Sequence, residues 1–232
     1  NLRTYEEYIA PHSTDVVWGD FPEDTACGLC YTSGTTGDPK GVLYSHRSNI
    51  LHTMIGLQKD AIGIGAADAT LPVVPMFHAN AWGLAFSGPA TGSKLVLPGA
   101  KMDGESIYEL LENEKVTFTA AVPTVWLMLL QYLEQTGKKL PHLNRVVIGG
   151  SAVPERILRA FEENYQVEVV HAWGMTEMSP LGSLGSMTEG VLAQDHDTIM
   201  KYKLKQGRAP FGVEMKTIND ENELLPRDGK TA

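Results

Sequence analysis

Short runs rich in β-branched and aromatic residues alternate along this chain with helix-like segments, and that alternation most constrains its fold. The β-rich runs cover residues 26–31, 69–74, 94–97, 116–121, 145–148 and 167–171; helical patterns fill 45–58, 80–90, 104–114, 124–134 and 154–165. Strands separated by helical patterns of about 10–15 residues connect as βαβ units, which require a largely parallel sheet covered on both faces. The apolar run RVVI at 145–148 suits such a doubly covered strand, Ser45 suits a helix cap, and Pro123 and Pro154 suit a first helical turn. The expected class is α/β, with layered, mostly parallel sheets and flanking helices. Residues 1–25 read as a connecting segment and 26–205 as the α/β portion. Residues 206–232 read as the start of a β-rich subdomain, in which APFGVEMKTIND (209–220) forms a strand ending in an Asn-Asp turn.

The segment YTSGTTGDPKG (31–41) directly follows the first expected strand, where open parallel sheets bind ligands. Gly34, Gly37 and Gly41 let the backbone approach a ligand and adopt positive φ. Successive backbone N–H groups in such a loop form an anion-binding concavity. Thr32, Ser33, Thr35 and Thr36 add hydroxyl donors, and Lys40 adds a point charge suited to phosphate. The segment reads as a polyphosphate cradle, but its spacing is not that of the Walker loop, which needs G-x-x-x-x-G-K-[ST].

Composition narrows the partners. A formal net charge of −9 with no basic stripe argues against nucleic acid. The longest apolar run, 120–130, contains Pro123 and falls short of a membrane span, and the polar first residues are unlike a leader, so a cytoplasmic location is expected. Cys27 and Cys30 form a C-x-x-C without a second pair and are read as small core residues of a strand rather than a redox or zinc site.

YTSGTTGDPKGV resembles the phosphate-binding signature of the adenylate-forming superfamily: acyl-CoA synthetases, luciferases and peptide-synthetase adenylation domains. HAWGMTEMSP (171–180), GGSAVP (149–154) and QGRAPFGVEMKTIND (206–220) resemble its further signatures in order. VVPMFHANAW (73–82) is similar to the fatty-acyl-CoA synthetase branch that handles medium or long chains. The resemblance implies a central part of the large N-terminal domain of such an enzyme, which joins a carboxylic acid to AMP from ATP and passes the acyl group to coenzyme A. It implies that Glu177 and the Thr32 hydroxyl hold Mg²⁺, that Lys40 and the loop hold the β- and γ-phosphates, and that Thr176 bonds the α-phosphate. Gly149, Gly150 and Ser151, with His171, Ala172, Trp173 and Gly174, would surround the adenine and acyl-phosphate. His78 would lie near the acyl carboxylate, and Ala79, Trp82 and Gly83 would shape the acyl tunnel. His12, His46, His52, His142 and His196 show no ligand spacing and read as structural or exposed.

The family's ribose-binding aspartate, hinge and small C-terminal lysine domain would lie beyond this chain, so it is expected to be a poor catalyst alone, and the resemblance allows a homodimer for its full-length parent. Two other readings stay open: a non-enzymatic nucleotide-binding module or degenerate homologue, and an aryl- or amino-acid-activating branch. No Asp stands near PMFHANAW to pair a substrate amine, which favours an apolar acid.

Overall fold

The computed structural model describes residues 4–32 and 37–228. A short helix α1 (Tyr5–Ile9) precedes an antiparallel hairpin, β1 (Ala26–Thr32) and β2 (Lys40–Ser45), which runs directly into α2 (His46–Gly56). There follow β3 (Ala69–Pro72), a one-turn element α3 (Ala79–Trp82), α4 (Leu84–Thr91), β4 (Lys94–Leu95), α5 (Gly104–Asn113) and β5 (Phe118–Ala121). Next come α6 (Pro123–Thr136), β6 (Arg145–Ile148), α7 (Glu155–Arg159) with a π-helical continuation over Ala160–Asn164, and β7 (Glu168–Gly174). A 3₁₀ turn (Thr176–Met178), β8 (Leu181–Leu184), α8 (Glu189–Leu192) and α9 (His196–Lys203) close the order.

Six strands form one sheet in the order β4-β3-β5-β6-β7-β8, parallel except for the antiparallel β7–β8 pair. This is the expected α/β class. Strand alternation sends successive side chains to opposite faces. Val146, Ile148 and Val169 join a core with Ile107 and Leu111 of α5, Trp126 and Leu129 of α6, and Phe161; the Trp126 and Phe161 rings meet edge-on at 5.7 Å. Phe118, Ala120, Val147 and Val170 face the other way, against Ile62, Leu84, Leu181 and Leu184.

Helix starts follow the expected chemistry at Ser45 and Pro123, whereas Pro154 stands one residue ahead of α7 as its N-cap rather than in its first turn. The Ser45 side chain accepts from the Ser48 amide to cap α2, Asp103 caps α5 through Ser106, and Pro123 occupies the first turn of α6.

Four expectations change. The 26–31 run does not enter the sheet. A hairpin partner immediately downstream captures it, because joining a parallel sheet would need a crossover of about a dozen residues. Cys30 is buried, but Cys27 is exposed and its sulfur accepts from Asn49 Nδ2 at 3.1 Å, so only one of the two cysteines is a core residue. The helix expected over 80–90 breaks at Gly83 into α3 and α4. Beyond α9, residues 209–220 carry no strand; isolated antiparallel bridges pair Leu184 with Arg208 and Ile218 with Leu224 around an Asn219–Asp220 turn.

Candidate functional site

A cavity of about 150 Å³ opens at the carboxyl edge of β5, β6 and β7. Its deep wall is apolar, built by Ile62, Phe118, Val147, Val170 and Leu184. His78, Ala79, Trp82, Gly149 and Gly150 line it, as do Ala172, Trp173, Gly174 and Thr176, so nine of the residues singled out in the sequence converge on one space. The apolar wall was missed in the sequence, although alternation along 118–120 and 145–148 marks which residues share its face.

Ala79, Asn80, Ala81 and Trp82 have φ of 44°, 56°, 53° and 56°, a full turn of left-handed helix. For residues other than Gly this conformation costs roughly 1–2 kcal/mol each. Bonds from Trp82 N–H to His78 O (3.2 Å) and from Gly83 N–H to Ala79 O (3.1 Å), with Ala79 and Ala81 buried, hold it in place. The turn lays the Trp82 indole on the backbone of β6's end. A Cβ on Gly149 would sit 3.3 Å from the indole and 2.9 Å from the Ala172 carbonyl oxygen. Gly150 has φ 78°, and a Cβ added there would sit 3.0 Å from Val122 Cγ1. A second cavity of about 430 Å³, walled by Val73, Pro75, Met102, Val122 and Val125, shares His78, Trp82 and Gly150 with the first.

The β1–β2 hairpin brings Thr32 opposite Lys40 in register. Ser33, Gly34, Thr35 and Thr36 lie outside the described residues. Gly37 has φ 128°, as expected. Gly41 does not need positive φ: a Cβ there would press on Leu29 Cδ1 at 3.1 Å, so cross-strand packing explains it. The Lys40 ammonium and the Glu177 carboxylate are exposed and make no hydrogen bond or ion pair among the described residues. Among those residues no group of three or more His, Cys, Asp or Glu could hold a metal ion. One unpaired carboxylate and a nearby hydroxyl suit a hard cation that takes its remaining oxygens from phosphate and water.

Tyr44 on β2, unremarked in the sequence, ties this hairpin to the site. Its hydroxyl donates to the Thr176 carbonyl at 2.6 Å, and burial, with Cys30 and Glu177 nearby, pushes its pKa up to about 12.

Two histidines face elsewhere. His171 shares the face of Val169, and its Nδ1 lies 2.9 Å from the Leu204 carbonyl oxygen, so its side chain does not line the cavity with Ala172. Burial lowers its pKa. Ser151 is exposed beyond Gly150 and also lies outside the cavity wall. His52 on α2 is buried behind the site; its Nε2 accepts from the Leu181 amide at 3.2 Å, and burial lowers its pKa to about 4.

The fold and site define an α/β protein that offers a ligand cavity at the carboxyl edge of a parallel sheet. Residues 5–231 match the family of AMP-binding enzymes, and the chain belongs to that family. It is 47% identical over 230 residues to a medium-chain-fatty-acid–CoA ligase of Ectopseudomonas oleovorans, covering 99% of this chain and 42% of that one. It is 47% identical over 234 residues to a 3-methylmercaptopropionyl-CoA ligase of Ruegeria lacuscaerulensis, covering 99% and 43%. Among solved structures, the anthranilate CoA ligase AuaEII in complex with anthranoyl-AMP superposes with a TM-score of 0.80 at 22% identity, over 96% of this chain and 41% of that one. The chain thus spans less than half the length of these relatives. Among the described residues no helix is long and apolar enough to cross a membrane.

Proposed function

We propose that this chain carries the nucleotide- and acid-binding face of an adenylate-forming ligase, which activates an apolar carboxylic acid with ATP and transfers the acyl group to coenzyme A. One observation carries the reading: Thr176 lines the apolar cavity, and its carbonyl is bonded to the hairpin that bears Thr32 and Lys40, so an acid pocket and a phosphate-type loop share a residue. In the first step the substrate carboxylate attacks the α-phosphorus and pyrophosphate leaves. In the second the thiol attacks the acyl carbonyl and AMP leaves. Two anions must meet in the first step, so neutralising charge is the main demand on the site. Lys40 supplies a cation for the outer phosphates and Thr176 a hydroxyl for the α-phosphate. Glu177 and the Thr32 hydroxyl would hold Mg²⁺, whose bound charge offsets that of the triphosphate. His78 donates a hydrogen bond toward the reacting carboxylate. Trp173 offers an aromatic face to the base, while Gly150 leaves room for the acyl-phosphate.

The cavity wall contains no acidic residue, which disfavours an amino acid as substrate. A cavity of this volume lined by Leu, Ile and Phe holds a benzene-sized group. That matches a short or medium acyl tail; an aromatic acid is the second reading, favoured by the same volume. The activities of the relatives, on a medium-chain fatty acid, a sulfur-containing acid and an aromatic acid, span this range.

The test is ATP–pyrophosphate exchange with acids from acetate to palmitate and with benzoate, alongside Glu177→Gln. Exchange that needs a carboxylate and collapses in the variant supports the reading. Exchange that ignores the acid, or survives in the variant, contradicts it. Retained ATP binding without exchange limits this chain to binding.

A further inference from the structure

The hairpin touches the rest of the molecule through few buried side chains. Within β1 and β2 only Cys30 and Tyr44 are buried, at 6% and 3% exposure. Gly28 pairs with Tyr44 and Cys30 with Val42, so Cys30 and Tyr44 lie diagonally on one face, the face turned inward. From there the Tyr44 hydroxyl reaches the Thr176 carbonyl at 2.6 Å. Among the described residues no other hydrogen bond joins the hairpin to the Thr176–Met178 turn. That turn is otherwise held by its own backbone: Met178 N–H donates to Met175 O and Met175 N–H to Pro180 O, both at 2.9 Å.

We propose that Tyr44 is a positioning residue that couples the phosphate-binding hairpin to the turn bearing Thr176 and Glu177, so that the outer phosphates and the α-phosphate are gripped in one fixed spacing. The proposal rests on the nucleotide reading above. Tyr44 lies four residues after Lys40 on the same strand, so a shift of the hairpin toward or away from the turn passes through its ring. A buried phenol held as a donor fixes the carbonyl of Thr176, and with it the direction in which the Thr176 hydroxyl and the Glu177 carboxylate leave the turn. An AMP ligand engages only the turn side of the site and does not need the hairpin in register. ATP engages both.

The coupling is read as the preference for ATP over AMP, measured calorimetrically in magnesium buffer. The unsubstituted chain binds ATP more tightly than AMP. Tyr44→Phe keeps the ring and removes the donor, and it lowers that preference by about five- to tenfold, the range expected for one buried hydrogen bond, with AMP affinity within about twofold. Loss of both affinities together, or of neither, assigns Tyr44 a purely structural role and overturns the proposal. A second measurement needs no variant: in amide hydrogen exchange ATP slows Met175 and Met178 together with β2, whereas AMP slows the turn without β2. Protection of β2 without the turn also overturns it. If the unsubstituted chain binds neither nucleotide, the nucleotide reading itself falls and takes this proposal with it.

Discussion

His52 shows how much one side chain behind the site can govern. It is buried, accepts a hydrogen bond from the Leu181 amide, and its ring fills the space that a Cβ on Gly83 would need, 2.5 Å from Cε1. An unfolded histidine titrates near 6.5, and this one near 4 when folded. Between those values the unfolded chain binds the extra proton. His52 therefore leaves stability intact above about pH 6.5 and removes it as pH falls toward 4, by about 3 kcal/mol. Urea unfolding at pH 7 and pH 4.5 reads this directly; His52→Gln, which keeps an acceptor but cannot titrate, flattens the difference, and an unchanged pH slope would contradict the assignment. At Gly149 a methyl group would meet the Ala172 carbonyl oxygen at 2.9 Å. Gly149→Ala is expected to cost about 1–3 kcal/mol in the same assay, the range of an overpacked site. Of such residues the sequence showed the glycines and the exposed polar groups, because loop chemistry is local. His52 was read only as structural or exposed and Tyr44 not at all, since their partners lie 129 and 132 positions away.

Among the elements, α2, α5 and α6 begin where their caps and Pro123 indicate, because capping depends on a few consecutive residues. The hairpin was harder to see. An apolar run such as ACGLC looks the same whether it joins a buried sheet or a hairpin, and β2 abuts α2 so closely that the helix signal at Ser45 masks it. The left-handed turn α3 was not legible: Ala and Trp disfavour it, a lone Asn, which tolerates it, does not mark a run of four, and tertiary contacts impose it. Asn80, only partly buried at φ 56°, isolates the backbone term. Asn80→Gly is expected to hold or raise stability by up to about 1 kcal/mol, whereas Asn80→Val lowers it by about 1–2 kcal/mol. Equal effects from both substitutions, in chemical denaturation, would show that side-chain contacts and not φ set the cost.

At the scale of the whole molecule, the parallel sheet separates two apolar layers of different purpose. One is close-packed around Trp126 and Phe161 and opens at its edge, where Val73, Met102 and Val125 border the second cavity. The other, around Phe118, Val147 and Val170, is hollow where it meets Trp82 and Thr176. The α/β class followed from the strand and helix alternation, but the hollow depends on how far Trp82 stands from the sheet, which no local pattern encodes. Binding of acyl-sulfamoyl-adenosines, stable mimics of acyl-adenylates, compared calorimetrically with AMP tests most directly whether that hollow receives the acid. Each added methylene is expected to tighten binding about fourfold until the tail reaches about the bulk of six carbons, after which the gain stops. Mimics that bind no better than AMP at any tail length would contradict the account.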